Sequence, residues 1–285
     1  MDATAGGGGH SAALLEAAPQ ARLVAVDRDE AAVAAAQDRL SRFGERVRVV
    51  QGAFSRLAEA AQPQLDRWGA EGADGVLFDL GVSSRQIDEG ARGFSFRQDG
   101  LLDMRMDRSS GVPAGQLLER VEEADLAGII REYGEERGHR RIARAICRAR
   151  DEGNLVTTDQ LRKAVVSTRP QRPEKTLARV FQALRIYVNG ELDELRSGLD
   201  AAVDLLRPGG RLTVISYHSL EDRIVKTCLA ELARGCICPP RAPICTCGHT
   251  PSFRLLGRKA RRPTAVEVEG NPRARSARLR AAEKL

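Results

Sequence analysis

Apolar and polar residues alternate in two different ways along the chain. In the first eighty residues, short apolar runs are separated by helical stretches. Leu23-Val24-Ala25-Val26 is a continuous run of the buried-strand type ending at Asp27, and the alanine-rich stretch from Ala31 to Leu40 predicts a helix. Val47-Arg48-Val49-Val50 predicts a second strand and Gly75-Val76-Leu77-Phe78-Asp79-Leu80 a third. Strands separated by helices imply a parallel, doubly wound sheet, and the pattern puts Asp27 and Asp79 at strand carboxyl ends, the edge where open α/β sheets take ligands. From about Met106 to Val188 the pattern changes. Leu117-Leu118-Val121, Leu126-Ile129-Ile130 and Ile142-Ala145-Ile146 recur at helical spacing with dense charge between them, and Thr157 or Thr158 reads as the cap of a further helix. Leu192 to Leu206 is again helical, Pro208-Gly209-Gly210 breaks it, and Arg211 to Ser216 returns to strand. The expected architecture is an α/β core in two parts, residues 1–105 and 189–285, around an all-helical insert over 106–188.

Length and composition fit this reading. The chain has 285 residues, of which 42% are hydrophobic and 29% charged, enough for a core without disulfide or metal staples and too apolar for global disorder. No apolar run approaches the ~18 residues of a membrane span, the first ten residues lack a signal-peptide pattern, and six cysteines are too few for a disulfide-dense secreted module, so a cytoplasmic protein is expected. The net charge of +6 is unevenly placed: residues 250–285 hold ten Lys/Arg against three Asp/Glu. A basic tail on a near-neutral body suggests a polyanionic partner, although a solvated, disordered tail accounts for the charge equally well. Eleven aromatic residues in all, seven Phe, three Tyr and one Trp, are too few for a broad base-stacking platform.

Several residues could carry chemistry. Gly6-Gly7-Gly8-Gly9 precedes an apolar helix over Ala12 to Ala18, so backbone can approach a ligand closely with helix N–H groups nearby, yet the spacing is not the dinucleotide fingerprint. Asp27, at the end of the next strand, is placed for a carboxylate to accept both ribose hydroxyls, and the pair of features favours a nucleoside-containing cofactor. Phe54, after the second strand, either flanks an adenine or is an ordinary core phenylalanine. Asp79 either faces the reactive end of a ligand or caps a helix. His218 follows the resumed strand and could act as general base, substrate hydrogen-bonder or cap, while Ser219 with Asp222 reads as a capping box. Cys236, Cys238, Cys245 and Cys247 form two C-x-C pairs that could close a tetrahedral zinc site. Structural zinc sites usually use wider knuckles, so a reduced, metal-free loop is the expected state and no metal is assigned.

Taken together, Asp2-Ala3-Thr4 with Gly6 to Ser11, Val26-Asp27-Arg28-Asp29, Phe78 to Ser84, Gly93-Phe94-Ser95-Phe96, Leu102 to Asp107, Tyr133 to Arg137, Phe181 to Ile186, His218 to Arg223 and Asn271 to Ser276 follow the order seen in one family. Over essentially its whole length the chain resembles the bacterial 16S rRNA cytosine-N4 methyltransferases, the RsmH/MraW family. The resemblance implies a Rossmann-like, S-adenosylmethionine-dependent methyltransferase sheet with a helical, substrate-side insert. It also implies a cytidine in the decoding region of 16S rRNA as substrate, within the small ribosomal subunit or its precursor, with no membrane and no DNA partner; it leaves a homodimer open. Carried onto this sequence, Gly8, Gly9 and His10 would line the methionine side of S-adenosylmethionine, Asp27 would hold the ribose, Phe54 would flank the adenine, and Asp79 and Gln86 would complete the pocket. Asp79 is also the catalytic candidate, as acceptor for the target amine, although Asp79-Leu80-Gly81-Val82 stands where many amino-methyltransferases carry a proline-proline-aromatic motif. The chain departs from the family pattern in three places: it begins at the Asp-Ala-Thr block, Arg172-Pro173 replaces a commoner His-Pro, and Tyr217 replaces the usual Phe. The first departure predicts an incomplete first strand beside the glycine loop, and with it the alternative of a catalytically impaired rRNA-binding assembly factor. A DNA amino-methyltransferase is the other alternative.

Overall fold

The computed structural model describes residues 1–239 and 244–285. In chain order the first third comprises α1 (Gly9–Ala17), β1 (Leu23–Asp27), α2 (Glu30–Leu40), β2 (Val47–Gln51), α3 (Leu57–Arg67) and β3 (Ala73–Asp79). Six helices follow without an intervening strand: α4 (Ser84–Asp88), α5 (Ala114–Arg120), α6 (Glu123–Gly134), α7 (His139–Asp151), α8 (Thr158–Ser167) and α9 (Pro173–Asn189). The chain ends with α10 (Glu191–Leu205), β4 (Leu206–Ser216), α11 (Ser219–Leu232), β5 (Phe253–Leu255), α12 (Ala265–Gly270) and β6 (Arg278–Lys284). Two compact units result, one of residues 1–81 with 192–285 and one of residues 82–191.

In the first unit β1 pairs in parallel with β2, β3 in parallel with β4, and β6 runs antiparallel to both β4 and β5. Met1–Ala5 joins the two halves. Asp2 bridges in parallel to Ala25 of β1 and to Leu77 of β3, the Asp2 and Ala5 amides donate to Val24 and Val26, and the Ala3 amide donates to Leu77. The spatial order is therefore β2, β1, Met1–Ala5, β3, β4, β6, β5. The central position, where an incomplete first strand is expected, is taken by these five residues, whose Asp2 and Met1 carbonyls also accept the Val26 and Leu77 amides. β1 is apolar on both faces because both faces are covered. Val24 and Val26 join Val76, Phe78, Leu212 and Val214 in a core with α3, α10 and α11, while Leu23 and Ala25 face Leu15, Ala36 and Leu40 of α1 and α2. β4 begins at Leu206, five residues before the expected Arg211. Its pairing with β3 jumps between Ala73 and Gly75, and Gly209, at a φ of 79°, absorbs the irregularity.

The second unit packs α5 to α9 around Leu118, Leu126, Ile130, Ile142, Ile146, Leu161, Val180 and Leu184. It begins at Val82 and ends at Glu191, wider than the 106–188 suggested by the helical pattern. The reason is that the non-helical stretch before α5 is part of this core: Leu102 and Met104 are buried in it, and the Asn189 side chain clamps both sides of that stretch, donating to the Met104 carbonyl at 2.7 Å and accepting the Met106 amide at 2.8 Å. Periodicity cannot register an extended segment held by one amide side chain. Thr157 caps α8 in a capping box with Gln160, and Pro173 occupies the first turn of α9 after Arg172. Among the described residues no helix is long and apolar enough to cross a membrane.

One glycine controls how α10 lies on the sheet. A Cβ on Gly198 would sit 2.6 Å from the Cβ of Phe54 and 3.2 Å from the Phe78 ring. We expect Gly198→Ala to destabilise the protein by about 1–3 kcal/mol through overpacking, despite alanine's better helix propensity, as read from the urea unfolding midpoint. A gain in stability would show that α10 can shift at no cost.

Candidate functional site

The carboxyl ends of Met1–Ala5, β1, β3 and β4 place several polar side chains at one edge of the sheet. The innermost is Asp2, fully buried. One of its carboxylate oxygens accepts the Ser11 hydroxyl at 2.7 Å and the other accepts the Thr4 amide at 3.1 Å and the Thr4 hydroxyl at 3.4 Å. Thr4 Oγ1 in turn accepts the Asp79 amide at 2.6 Å. One carboxylate thus ties the start of α1, the strand before the glycine loop and the end of β3 together. Sequence reasoning gave Asp2 no role. The signal was a charged residue inside an otherwise apolar strand position, and a buried charge must be paired or hydrogen-bonded.

The glycine loop between that strand and α1 is held open by backbone geometry. Gly8, with a φ of 74°, occupies the N-cap position of α1 without a side-chain cap, and its missing Cβ lets the loop approach Leu40, whose Cγ would lie 3.3 Å from such an atom. The first amides of α1 consequently have no intrahelical acceptor, and the positive end of the helix faces this edge. Asp27, at the end of β1, binds the same loop: its Oδ2 accepts the Gly6 amide at 2.8 Å and its Oδ1 the Asp29 amide at 2.9 Å. A carboxylate has about four acceptor sites, so two remain for a diol. Burial pushes the Asp27 carboxyl above its ordinary range, against the Asp29 and Gly6 amides that favour its charged form. The Gly52 amide donates to the Asp27 carbonyl at 2.9 Å, which puts the loop carrying Phe54 next to β1. Phe54 itself is half-buried, edge-on to Phe78 with ring centroids 5.4 Å apart, so the core role expected of it is real and leaves part of the ring exposed.

Asp79 is flanked on both oxygens. The Tyr217 hydroxyl donates to Oδ1 at 2.9 Å and His10 Nδ1 lies 3.4 Å from Oδ2, with the imidazole half-exposed. Burial pushes the Asp79 carboxyl up, while Tyr217 and His10 favour its ionised form. Burial and the neighbouring Asp79 charge push the Tyr217 phenol up as well, so it remains a donor. The Tyr-for-Phe departure, a mild change in sequence terms, supplies a hydroxyl to the strand-end carboxylate of Asp79. His218 caps α11: its Nδ1 accepts the Glu221 amide and Glu221 reaches back to the His218 and Tyr217 amides, a capping box one residue before the expected Ser219–Asp222 pair. Asp222 is instead bound by Arg278 at 2.7 Å and by Arg280 at 2.8 Å. Despite its burial, these two arginines hold its carboxyl below the usual range.

That pairing changes the reading of the basic tail. Residues 253–284 are ordered into β5, α12 and β6, and a two-way backbone bridge between Arg261 and Leu279 pins the intervening loop, so the disordered-tail alternative is set aside. Arg278 and Arg280 face Asp222, and Arg254 pairs with Glu283. Among the described residues Arg258, Lys259, Arg261, Arg262 and Arg275 have no carboxylate partner, and Arg262, Arg275 and Arg278 border a cleft of about 260 Å³ whose other wall is Tyr217, His218 and Ser219. Gly8, Gly9, His10, Asp27, Phe54 and Asp79 all belong to the first unit. Gln86 belongs to the second, where its side chain accepts the Ser83 amide at 2.9 Å and closes the capping box of α4.

Comparison with known proteins gives a consistent result. The model of the MraW methylase family matches residues 1–285. The "Ribosomal RNA small subunit methyltransferase H" proteins of Symbiobacterium thermophilum and Trichlorobacter lovleyi are each 49% identical over 290 residues, covering 100% of this chain and 90% and 91% of theirs. The protein of the same name from Thermomicrobium roseum is 49% identical over 288 residues, covering 100% of this chain and 87% of its own.

The Asp79 environment yields a prediction with a definite sign. The Tyr217 hydroxyl stabilises the carboxylate and not the acid, so Tyr217→Phe is expected to raise the Asp79 pKa further above the ordinary carboxylate range. Carboxyl-carbon NMR titration of wild type and variant checks it. A pKa that stays put or falls would mean that the hydrogen bond contributes nothing to the ionisation.

Proposed function

The chain belongs to the MraW methylase family, and from that premise we propose that it is an S-adenosylmethionine-dependent methyltransferase acting on the exocyclic N4 amine of a cytidine in the decoding region of 16S rRNA. The observation that carries the reading is the constellation of the open α1 N-terminus, Asp27 with unsatisfied acceptor sites, and Asp79 at a single sheet edge. These residues fit a nucleoside bearing a charged amino-acid tail. The α1 amides at Gly9 and His10, beside Gly8, suit a carboxylate, and Asp27 suits a ribose diol. The exposed part of the Phe54 ring suits an adenine, and Gln86 enters through the family resemblance. When bound, the cofactor supplies an electrophilic methyl group on a sulfonium centre.

The protein's part is alignment and handling of one amine. The N4 lone pair of cytosine is delocalised into the ring and must be drawn toward sp³ character before it can attack. A hydrogen bond from that amine to a fixed carboxylate promotes this, and orientation contributes the rest. Asp79 meets the requirement: one oxygen is braced by Tyr217, the other faces His10, and its amide is anchored on Thr4. Its raised pKa makes the carboxylate a better acceptor than an exposed aspartate. The base has to leave its stack to reach such an edge. Arg262 and Arg275, in the cleft beside Tyr217 and His218, are then suited to the phosphates flanking the extruded nucleotide. Soluble action on rRNA within the small subunit or its precursor, in the cytoplasm, completes the reading.

The test is methyl transfer from labelled S-adenosylmethionine to unmodified small ribosomal subunits, followed by mapping of the modified nucleotide. One decoding-region cytidine carrying N4-methyl is the expected product, and label on another base or on DNA would overturn the proposal. In the same assay Asp79→Asn should lower kcat by about 10²-fold at saturating cofactor. Full turnover would remove Asp79 from the mechanism. Separately, Arg262→Ala with Arg275→Ala should reduce the slope of log affinity for small-subunit RNA against log salt by about 1.5, while leaving the folded state unchanged by circular dichroism. An unaltered slope would place the phosphate contacts elsewhere.

A further inference from the structure

Residues 233–251 connect α11 to β5, and the described ones lack what normally holds a segment of that length. None of its described residues is in a helix or strand, and none is buried. The two ends are nevertheless drawn together, with the Ser252 amide donating to the Leu232 carbonyl at 2.9 Å, and Phe253 just beyond is inserted in the main core. A closed loop with no core of its own needs a staple, because the entropy of ordering it is not offset by buried apolar surface.

The loop carries one. Cys236 and Cys245 sulfurs are 3.4 Å apart, Cys245 and Cys247 3.6 Å, Cys247 and Cys236 3.8 Å, and Cys238 and Cys245 3.9 Å, and all four lie within 4.8 Å of one another. These are free thiols, well outside disulfide bonding distance. They match another figure: a zinc–sulfur bond of about 2.3 Å gives a tetrahedron with sulfur–sulfur edges of about 3.8 Å. The other two cysteines lie apart from this group, Cys147 buried in the helical core and Cys228 half-buried on α11.

We propose that Cys236, Cys238, Cys245 and Cys247 bind one zinc ion as a closed structural site. The donor set is all thiolate, which selects a soft, tetrahedral cation, and four protein ligands leave no position for water or substrate, so the site is a staple and not a second reaction centre. Binding replaces up to four thiol protons with one Zn²⁺, leaving a complex of charge −2 and releasing the protons to solvent. The narrow C-x-C spacing, which in sequence favoured a metal-free loop, is no obstacle, because the two pairs meet face to face and neither has to wrap the metal alone.

The experiment uses the full chain purified under reducing conditions from zinc-supplemented cells. Elemental analysis should find one zinc per chain, released together with four titratable thiols by a mercurial. Cobalt(II) exchanged into the wild-type protein should give the intense visible bands and thiolate charge transfer of a tetrahedral S₄ site. Cys236→Ser with Cys245→Ser should abolish both signals, whereas Cys147→Ser with Cys228→Ser should keep them. Absence of stoichiometric metal together with a featureless cobalt titration of the wild type would overturn the proposal, independently of how any variant folds. So would zinc that survives loss of the two loop cysteines, or stoichiometric iron in its place.

Discussion

Met1–Ala5 lies between β1 and β3 and hydrogen-bonds to both, so the two halves of the first unit's sheet are joined through five residues. The ligand edge depends on how the last of these residues are held. A parallel strand satisfies its backbone through its neighbours, but where it ends its side chains and the following loop need other partners. Asp2 provides them by fixing Thr4 and Ser11, and Thr4 passes the constraint on to the Asp79 amide. The positions of α1, the glycine loop and Asp79 therefore follow from one buried carboxylate. Its own desolvation is offset only because each oxygen has a donor.

The same edge shows two carboxylates with opposite settings. Asp27 is half-buried and held by backbone amides that come from its own turn and from the glycine loop, an arrangement that keeps it rigid and aimed. Asp79 is braced by side chains, Tyr217 and His10, that reach it from different elements. A rigid acceptor suits recognition of a diol, and a carboxylate tuned by neighbouring side chains suits contact with a group whose charge changes during reaction. That division of labour is what the proposed methyl transfer requires.

The carboxyl-terminal third repeats a theme on a different scale. Arg278 and Arg280 in β6 are bound to Asp222 at the start of α11, so part of the tail's positive charge holds strand to helix. Arg262 and Arg275, without a carboxylate partner among the described residues, instead line the cleft next to Tyr217 and His218. A count of charges along the sequence cannot separate these two populations, because Asp222 lies 56 and 58 residues from Arg278 and Arg280.

What the sequence determined by itself is what local pattern controls. Parallel strands show as short apolar runs, so β1, β2 and β3 were legible, with aspartates ending β1 and β3, and helical periodicity marked the insert. The motif order carried the family. What only the tertiary structure decided depends on which partner a single side chain meets. These are the role of Asp2, the hydroxyl that Tyr217 gives to Asp79 across 138 positions, and the clamp of Asn189 on residues 104–106 that moves the unit boundary. They also include the shift of the α11 cap to His218 and the convergence of four cysteine sulfurs. Each of these is a contact made by a side chain with no periodicity of its own, and such contacts exist only once the backbone has brought the partners together.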